Sequence, residues 1–165
     1  TFIGSPIPEY IFGMSFSAEI HGFDFSAFAD AQVGRDLVRN YARNLPLTNR
    51  TAYSIDRWHG EGTSTDIPRL TTGATDNNLF SDYFIEDGSY LRIKTIQVGY
   101  TIPRYESIFG LEKVRIYGSV SNPFTFTKYQ GYDPNISSGN PLDSGIDNGY
   151  YPQARTFIAG IKITL

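Results

Sequence analysis

Hydrophobic and polar residues alternate along five separate stretches of the chain. Over 9–20, Tyr10, Phe12, Met14, Phe16, Ala18 and Ile20 share one face. Gly13, Ser15, Ser17 and Glu19 share the other, with Ile11 out of phase. Over 23–33, Phe23, Phe25, Ala27, Ala29 and Ala31 alternate with Asp24, Ser26, Phe28, Asp30 and Gln32. The stretch 88–102 ends with Ile96, Val98, Tyr100 and Ile102 against Thr95, Gln97, Gly99 and Thr101. The pattern returns at 113–127, with Val114, Ile116, Gly118 and Val120 on one side, and at 154–165, with Phe157, Ala159, Ile161, Ile163 and Leu165. Side chains of a strand point alternately to its two faces, so each stretch predicts a strand with one apolar side and one small, polar side.

Turn chemistry separates these strands. His21-Gly22 predicts a two-residue hairpin, since Gly supplies a positive φ. Asp87-Gly88 marks the turn into the third strand, and Asn122-Pro123 predicts a bulge or bend, because proline has no N–H to give a ladder. Two long loops remain, 34–87 and 128–153. In the first, Arg35 to Leu45 fits a short helix with Leu37, Val38, Tyr41 and Leu45 as its apolar side. Such a helix would stack Arg35, Arg39 and Arg43, which is unfavourable unless acids face them. Loops of this length in compact domains are functional or disordered.

Long loops follow the second and fourth strands and short connections the first and third. A sequential antiparallel order therefore puts both long loops at one end. Outer-membrane barrels have this asymmetry, together with aromatic belts, and about 9–11 tilted residues per strand cross the hydrocarbon. A soluble all-β domain alternates in the same way, so periodicity leaves both architectures open.

Composition narrows the choice of function. The chain carries 12 Phe, 12 Tyr, 16 Gly and 9 Pro but a single Trp and no Cys. Aromatics favour strands and Gly and Pro favour turns. Without cysteine there is no disulfide framework, thiolate metal site or thiol nucleophile. The net charge of −3, with both signs interspersed, lacks the basic stripe that nucleic acid requires. No run of about 18 apolar residues predicts a transmembrane helix, which leaves strand spans open. The sequence opens at Thr1 with no visible signal peptide, and it reads as a segment of a longer protein.

Catalysis finds little support. The two histidines, His21 and His59, lie on a turn and in a loop, and no HExxH, GxSxG or glycine-rich phosphate loop occurs. Glu86 and Asp87 are adjacent, so in an extended chain they point apart. A non-enzyme without cofactor is expected. Trp58 with Tyr53, Arg57 and His59 offers a stacking and hydrogen-bonding group for a sugar or peptide, or else an anchor for its loop. Tyr132 and Tyr150, with Tyr129 and Tyr151, offer the same choice, or an interfacial belt. Asp133, Asn135 and Ser137 place oxygens at alternate positions as calcium loops do, but Gly139 and Ser144 break the EF-hand pattern. Asn49-Arg50-Thr51 and Asn135-Ile136-Ser137 match the short glycosylation sequon.

Three segments carry a resemblance. Glu86 to Pro103, reading EDGSYLRIKTIQVGYTIP, resembles the near-terminal signature of the SusC/RagA family of TonB-linked outer-membrane transporters. Asn122 to Pro134 is similar to that family's segment ending in GYDP, and Gly149 to Phe157 to its lead into the last strand. Gly4-Ser5-Pro6 and Trp58 also stand where the family has similar residues. Pro123 departs from a usual Leu, and Leu165 from a common terminal aromatic. The resemblance covers essentially the whole chain, in order.

It implies an all-β fold: a transmembrane antiparallel β-barrel of about 22 strands with a plugged lumen, of which this chain holds C-terminal strands. It also implies a SusD-like surface lipoprotein as lid, TonB as the energy source through residues outside this chain, and an oligosaccharide or oligopeptide substrate. The chain would then sit in the bacterial outer membrane with its C-terminus periplasmic. Phe12, Phe16, Val98, Tyr100, Ile161 and Ile163 would face lipid. The rival expectation is a soluble secreted β-sandwich that binds glycans.

Overall fold

A computed structural model describes residues 3–41, 52–70, 79–102, 113–136, 140 and 143–164. Eight strands are present among them: β1 (Tyr10–Ile20), β2 (Phe23–Val33), β3 (Asp36–Arg39), β4 (Ile85–Asp87), β5 (Tyr90–Ile102), β6 (Lys113–Thr127), β7 (Ile146–Asp147) and β8 (Thr156–Thr164). The main sheet has five strands in the order β1-β2-β5-β6-β8, all neighbours antiparallel. The long connections leave from the end at which β2 and β6 finish. The sheet is open, with β1 and β8 as its edges.

Local chemistry explains the joints. His21 and Gly22 both have positive φ, 49° and 86°, as the tightest hairpin turns require. The Asn122-Pro123 bend is a bulge. Between the pairs Ile93–Phe124 and Thr95–Ser121, β6 carries two residues where β5 carries Lys94 alone. Asn122 takes a φ of 52°, a conformation Asn tolerates better than most residues, and its amide donates to the Ala154 carbonyl.

A second irregularity beside it re-phases β5, where Lys94 is an extra residue between the pairs Phe28–Thr95 and Ala29–Ile93. Leu91 and Ile93 precede it at odd positions and Ile96, Val98 and Tyr100 follow at even ones. All five nevertheless oppose one row of β2, Ala31, Ala29, Ala27, Phe25 and Phe23. The main apolar rows of all five strands thus share one face of the sheet, with Ile11, Phe28 and Ile158 on the other.

That face is bare. Phe12, Phe16, Val98, Ile161 and Ile163 are between 49% and 66% exposed. Tyr100 lies on the same face, half-buried, with its ring 4.5 Å from that of Phe23. Among the described residues no second layer covers these rows, so they do not meet in a sandwich core.

What is buried lies elsewhere and is mostly polar: Arg35, Arg39, Arg92, Asp133 and Asp147, with Leu37, Tyr90 and Tyr129. These residues gather where the long loops leave the sheet. Glu9, Ser89 and Gly34 meet there, Gly34 with φ of 75°. Beyond that point the β2–β5 ribbon continues as the β3–β4 pair, and β7 adds to β3 in parallel.

The helix expected from Arg35 to Leu45 is therefore not formed over its described part. Arg35, Leu37 and Arg39 are all buried, a period of two, and β3 pairs on both sides with segments remote in sequence. Those pairings outweigh local helical preference. The acids that a helix would have needed are met across strands instead, Arg39 by Glu86. Arg43 and Leu45 lie outside the described residues. The last strand also starts later than 154, at Thr156, and runs to Thr164; Leu165 lies outside the described residues.

Candidate functional site

The polar face is organised by charged side chains reaching across strands. Asp24 on β2 accepts two hydrogen bonds from Arg115 on β6, passing over Gly99 of β5. A Cβ on Gly99 would stand 2.4 Å from an Asp24 oxygen. The Arg115 guanidinium lies 5.0 Å from the ring of Tyr117, and Tyr117 covers Gly160, where a Cβ would come within 2.6 Å of the ring. Glycines on the polar face thus make room for large neighbours. Asp30 accepts from the Tyr90 hydroxyl at 3.0 Å and lies 3.6 Å from Lys94.

At the loop end three acids tie the two long loops to the sheet. Arg92 donates from Nη2 to Asp133 at 2.5 Å and from Nε to Thr125 at 3.0 Å. Asp133 also accepts the N–H groups of Asn135 and Gln153. Burial disfavours its charge, but Arg92 and these two donors outweigh burial and hold its pKa below the ordinary carboxylate value. Glu86 pairs with Arg39 at 2.7 Å and accepts the Gln130 N–H. Asp147, fully buried, accepts from the Tyr129 hydroxyl and from the N–H groups of Gly149 and Tyr150. Burial, and after it the Asp147 carboxylate, push the Tyr129 phenol well above its usual range. Tyr41 is pushed up to about 12, chiefly by burial.

A cleft of about 570 Å³ opens beside this network, lined by Trp58, Asp66, Arg69, Tyr83 and their neighbours. Of its lining residues Tyr83 is held by Arg39, which stands 5.3 Å from the Tyr83 ring and also 4.8 Å from that of Tyr53. A second cleft of about 410 Å³ is lined by Arg92, Tyr132, Gln153 and Arg155.

The residues singled out from the sequence are divided by the structure. Trp58 is 40% exposed and lines the larger cleft. Tyr53 faces Arg39 instead, and Arg57 bonds back to the Ser54 carbonyl. Tyr132 lines the smaller cleft, its ring 5.9 Å from that of Tyr41. Tyr150 is half-buried with its N–H on Asp147. Tyr129 is buried, so it belongs to neither a belt nor a binding surface. The Asp133 carboxylate, considered for calcium, is engaged by Arg92 and two backbone donors; Ser137 and Gly139 lie outside the described residues. Asn49 and Arg50 of the first sequon lie outside them too.

Several structural residues were missed: Glu86, Asp133 and Asp147 as loop ties, and Asp66, Arg69 and Tyr83 in the cleft.

No protein-family model matches the chain. Curated relatives do. The chain is 32% identical to TonB-dependent receptor P3 of Formosa agariphila over 98% of its own length. It is 27% identical, over 96%, to TonB-dependent receptor SusC of Bacteroides thetaiotaomicron. Over nearly its whole length the chain is thus similar to TonB-dependent receptors, SusC among them. It spans only 17% and 15% of the length of those two relatives. The fold agrees with solved structures of the RagAB peptide importer. The closed-closed state superposes with a TM-score of 0.78 at 24% identity, over 98% of this chain and 18% of that one. The open-open state gives 0.75 at 23% identity, over 96% and 17%. At that identity the likeness speaks for the fold alone; among the described residues the sheet does not close.

Proposed function

We propose that this chain forms five adjacent wall strands and two external loops of an importer that carries oligosaccharides or oligopeptides across a bacterial outer membrane. The observation that carries this reading is the inversion of the sheet. Charged pairs occupy one face, and rows of Phe, Ile and Val stand uncovered on the other. Facing water, the apolar rows would be an extended sticky surface; facing hydrocarbon, they are in their proper solvent. Phe12, Phe16, Val98, Tyr100, Ile161 and Ile163 face lipid in this reading, and Asp24, Arg115 and Arg92 face the wet interior.

The edges β1 and β8 need partners, since unpaired backbone is not tolerated in hydrocarbon. Other strands of a barrel of about 22, with its plug, supply them. TonB acts through that remainder, a SusD-like surface lipoprotein covers the loop end, and the chain's last strand finishes on the periplasmic side. The chain is not an enzyme in this reading. The soluble glycan-binding sandwich is disfavoured because its apolar rows would face each other.

Membrane extraction tests the proposal. The full-length protein should stay with the outer membrane through alkaline carbonate and need detergent for release. Energised uptake should stop when TonB is deleted. Release by carbonate as a folded, water-soluble protein would refute the reading.

A further inference from the structure

We infer that the cleft between residues 64–69 and 81–83 binds a neutral sugar ring of the transported substrate, an inference that rests on the importer reading above. Four observations converge on it. The cleft has the volume of a small-ligand site, about 570 Å³. The half-exposed indole of Trp58 and the phenol of Tyr83 both line it. Flat aromatic faces suit the C–H-rich faces of pyranose rings. Around them stand hydroxyl-binding groups of both kinds: Arg69 donates, the Ser64 hydroxyl can donate, and Asp66, which already accepts from the Thr65 hydroxyl through Oδ1, keeps its second oxygen as an acceptor.

The third observation is preorganisation. The segment from Trp58 to Ile67 closes on itself, with the Trp58 N–H donating to the Ile67 carbonyl at 2.8 Å and the Ile67 N–H to Ser64 Oγ at 3.1 Å. His59 N–H donates to Thr63 Oγ1, which donates in turn to the Gly60 carbonyl. A site whose loop is already folded loses little freedom on binding. Tyr83 is fixed likewise, by Arg39 beneath it and by the edge of Phe84 at 5.1 Å.

The fourth is what the walls lack. Peptides are commonly held by adding a strand to a free sheet edge. These walls are turn and coil, with a short 3-10 turn at Asp82–Phe84 and Pro68 without an N–H. One acid and one base also cancel, which gives no preference for uronates or other anionic sugars. A neutral glycan matches this wall better than either alternative.

The test uses the full-length receptor purified in detergent. It is screened on an array of neutral and uronate-bearing oligosaccharides, with penta-alanine titrated separately. The affinity of wild type for its best ligand is then compared with that of Trp58→Ala, Trp58→Phe and Asp66→Asn. Heat-modifiable migration on gels confirms that each variant is folded. The expected result is binding of a neutral oligosaccharide, weakened at least tenfold by Trp58→Ala, largely kept by Trp58→Phe, and reduced by Asp66→Asn. Capture of only uronates or peptide overturns the inference. So does no binding to any neutral sugar, or a folded Trp58→Ala variant that binds as wild type does. The two proposals fail separately. Energised uptake with sugar binding indifferent to Trp58 removes the cleft and leaves the importer. Trp58-dependent sugar binding without TonB-dependent uptake removes the importer and leaves the cleft.

Discussion

Asp24 and Arg115 meet across an intervening strand, with Arg115 Nε 2.8 Å from Asp24 Oδ1, because Gly99 leaves nothing between them. Two residues 91 positions apart in sequence are thus joined over β5. The pairing of Asp24 with Arg115 ties β2, β5 and β6 into one polar surface.

Gly99→Ala should therefore separate the pair. Its new Cβ would stand 2.4 Å from the Asp24 oxygen and 2.5 Å from an Arg115 nitrogen, so these two flexible side-chain ends must move apart. The check is a double-mutant cycle on Asp24→Ala and Arg115→Ala, read by unfolding of the detergent-solubilised receptor. Coupling should be present with Gly99 and absent with Ala. Equal coupling in both backgrounds would show that the glycine is incidental.

Arginine at Val98 or Ile161 should cost about 2–4 kcal/mol if these residues lie near the bilayer midplane. Both stand exposed on the apolar face, at 49% and 66%. Arginine at Ser119, which pairs Gln97 on the polar side, should assemble far better. Pulse-labelled assembly into the outer membrane measures the contrast, and equal yields from both faces would contradict the lipid-facing assignment.

Arg92→Ala should free the 128–153 loop. The pair with Asp133 is buried, and removing one partner of a buried pair costs about 3–5 kcal/mol. The pH dependence follows from the lowered pKa of Asp133. Its stabilising effect is complete above the ordinary value of about 3.9 and is lost as pH falls through the lower folded value. An acid-active protease should begin to cut this loop only at the acid end in wild type. In Asp133→Asn, cutting should occur at all pH values.

Tyr129→Phe should loosen β7 without detaching the loop. Asp147 would lose its hydroxyl donor, 2.5 Å away, while keeping Gly149 and Tyr150. Leaving a buried charged acceptor short of one partner costs about 1–3 kcal/mol. Hydrogen exchange should quicken at Val38 and Asn40, whose N–H groups donate to Gly145 and Asp147, and stay unchanged in β1. Unchanged protection at Val38 would mean that the hydroxyl contributes little.

The strands were legible because period-two alternation is a local property, set by which side chains share a face. Phe23–Val33 and Lys113–Thr127 coincide with their alternating stretches. The His21-Gly22 turn and the Asn122-Pro123 bulge were legible for the same reason, since φ and the missing N–H belong to those residues themselves. The motifs from Glu86 to Phe157 also pointed to the family without help from the fold.

Less of the candidate site could be read. Trp58 stood out as the chain's one tryptophan, but its cleft partners Tyr83 and Arg69 are commonplace residues that only folding brings beside it. The ties Arg92–Asp133, Arg39–Glu86 and Tyr129–Asp147 carry no spacing rule either.

The sequence by itself determined the strands, their two faces and the turns, because these depend on neighbours along the chain. Tertiary structure alone decided that 36–39 is a strand, which acids the arginines meet, and which glycines must stay bare. Those outcomes depend on the register between distant strands, and a register exists only once the sheet has formed.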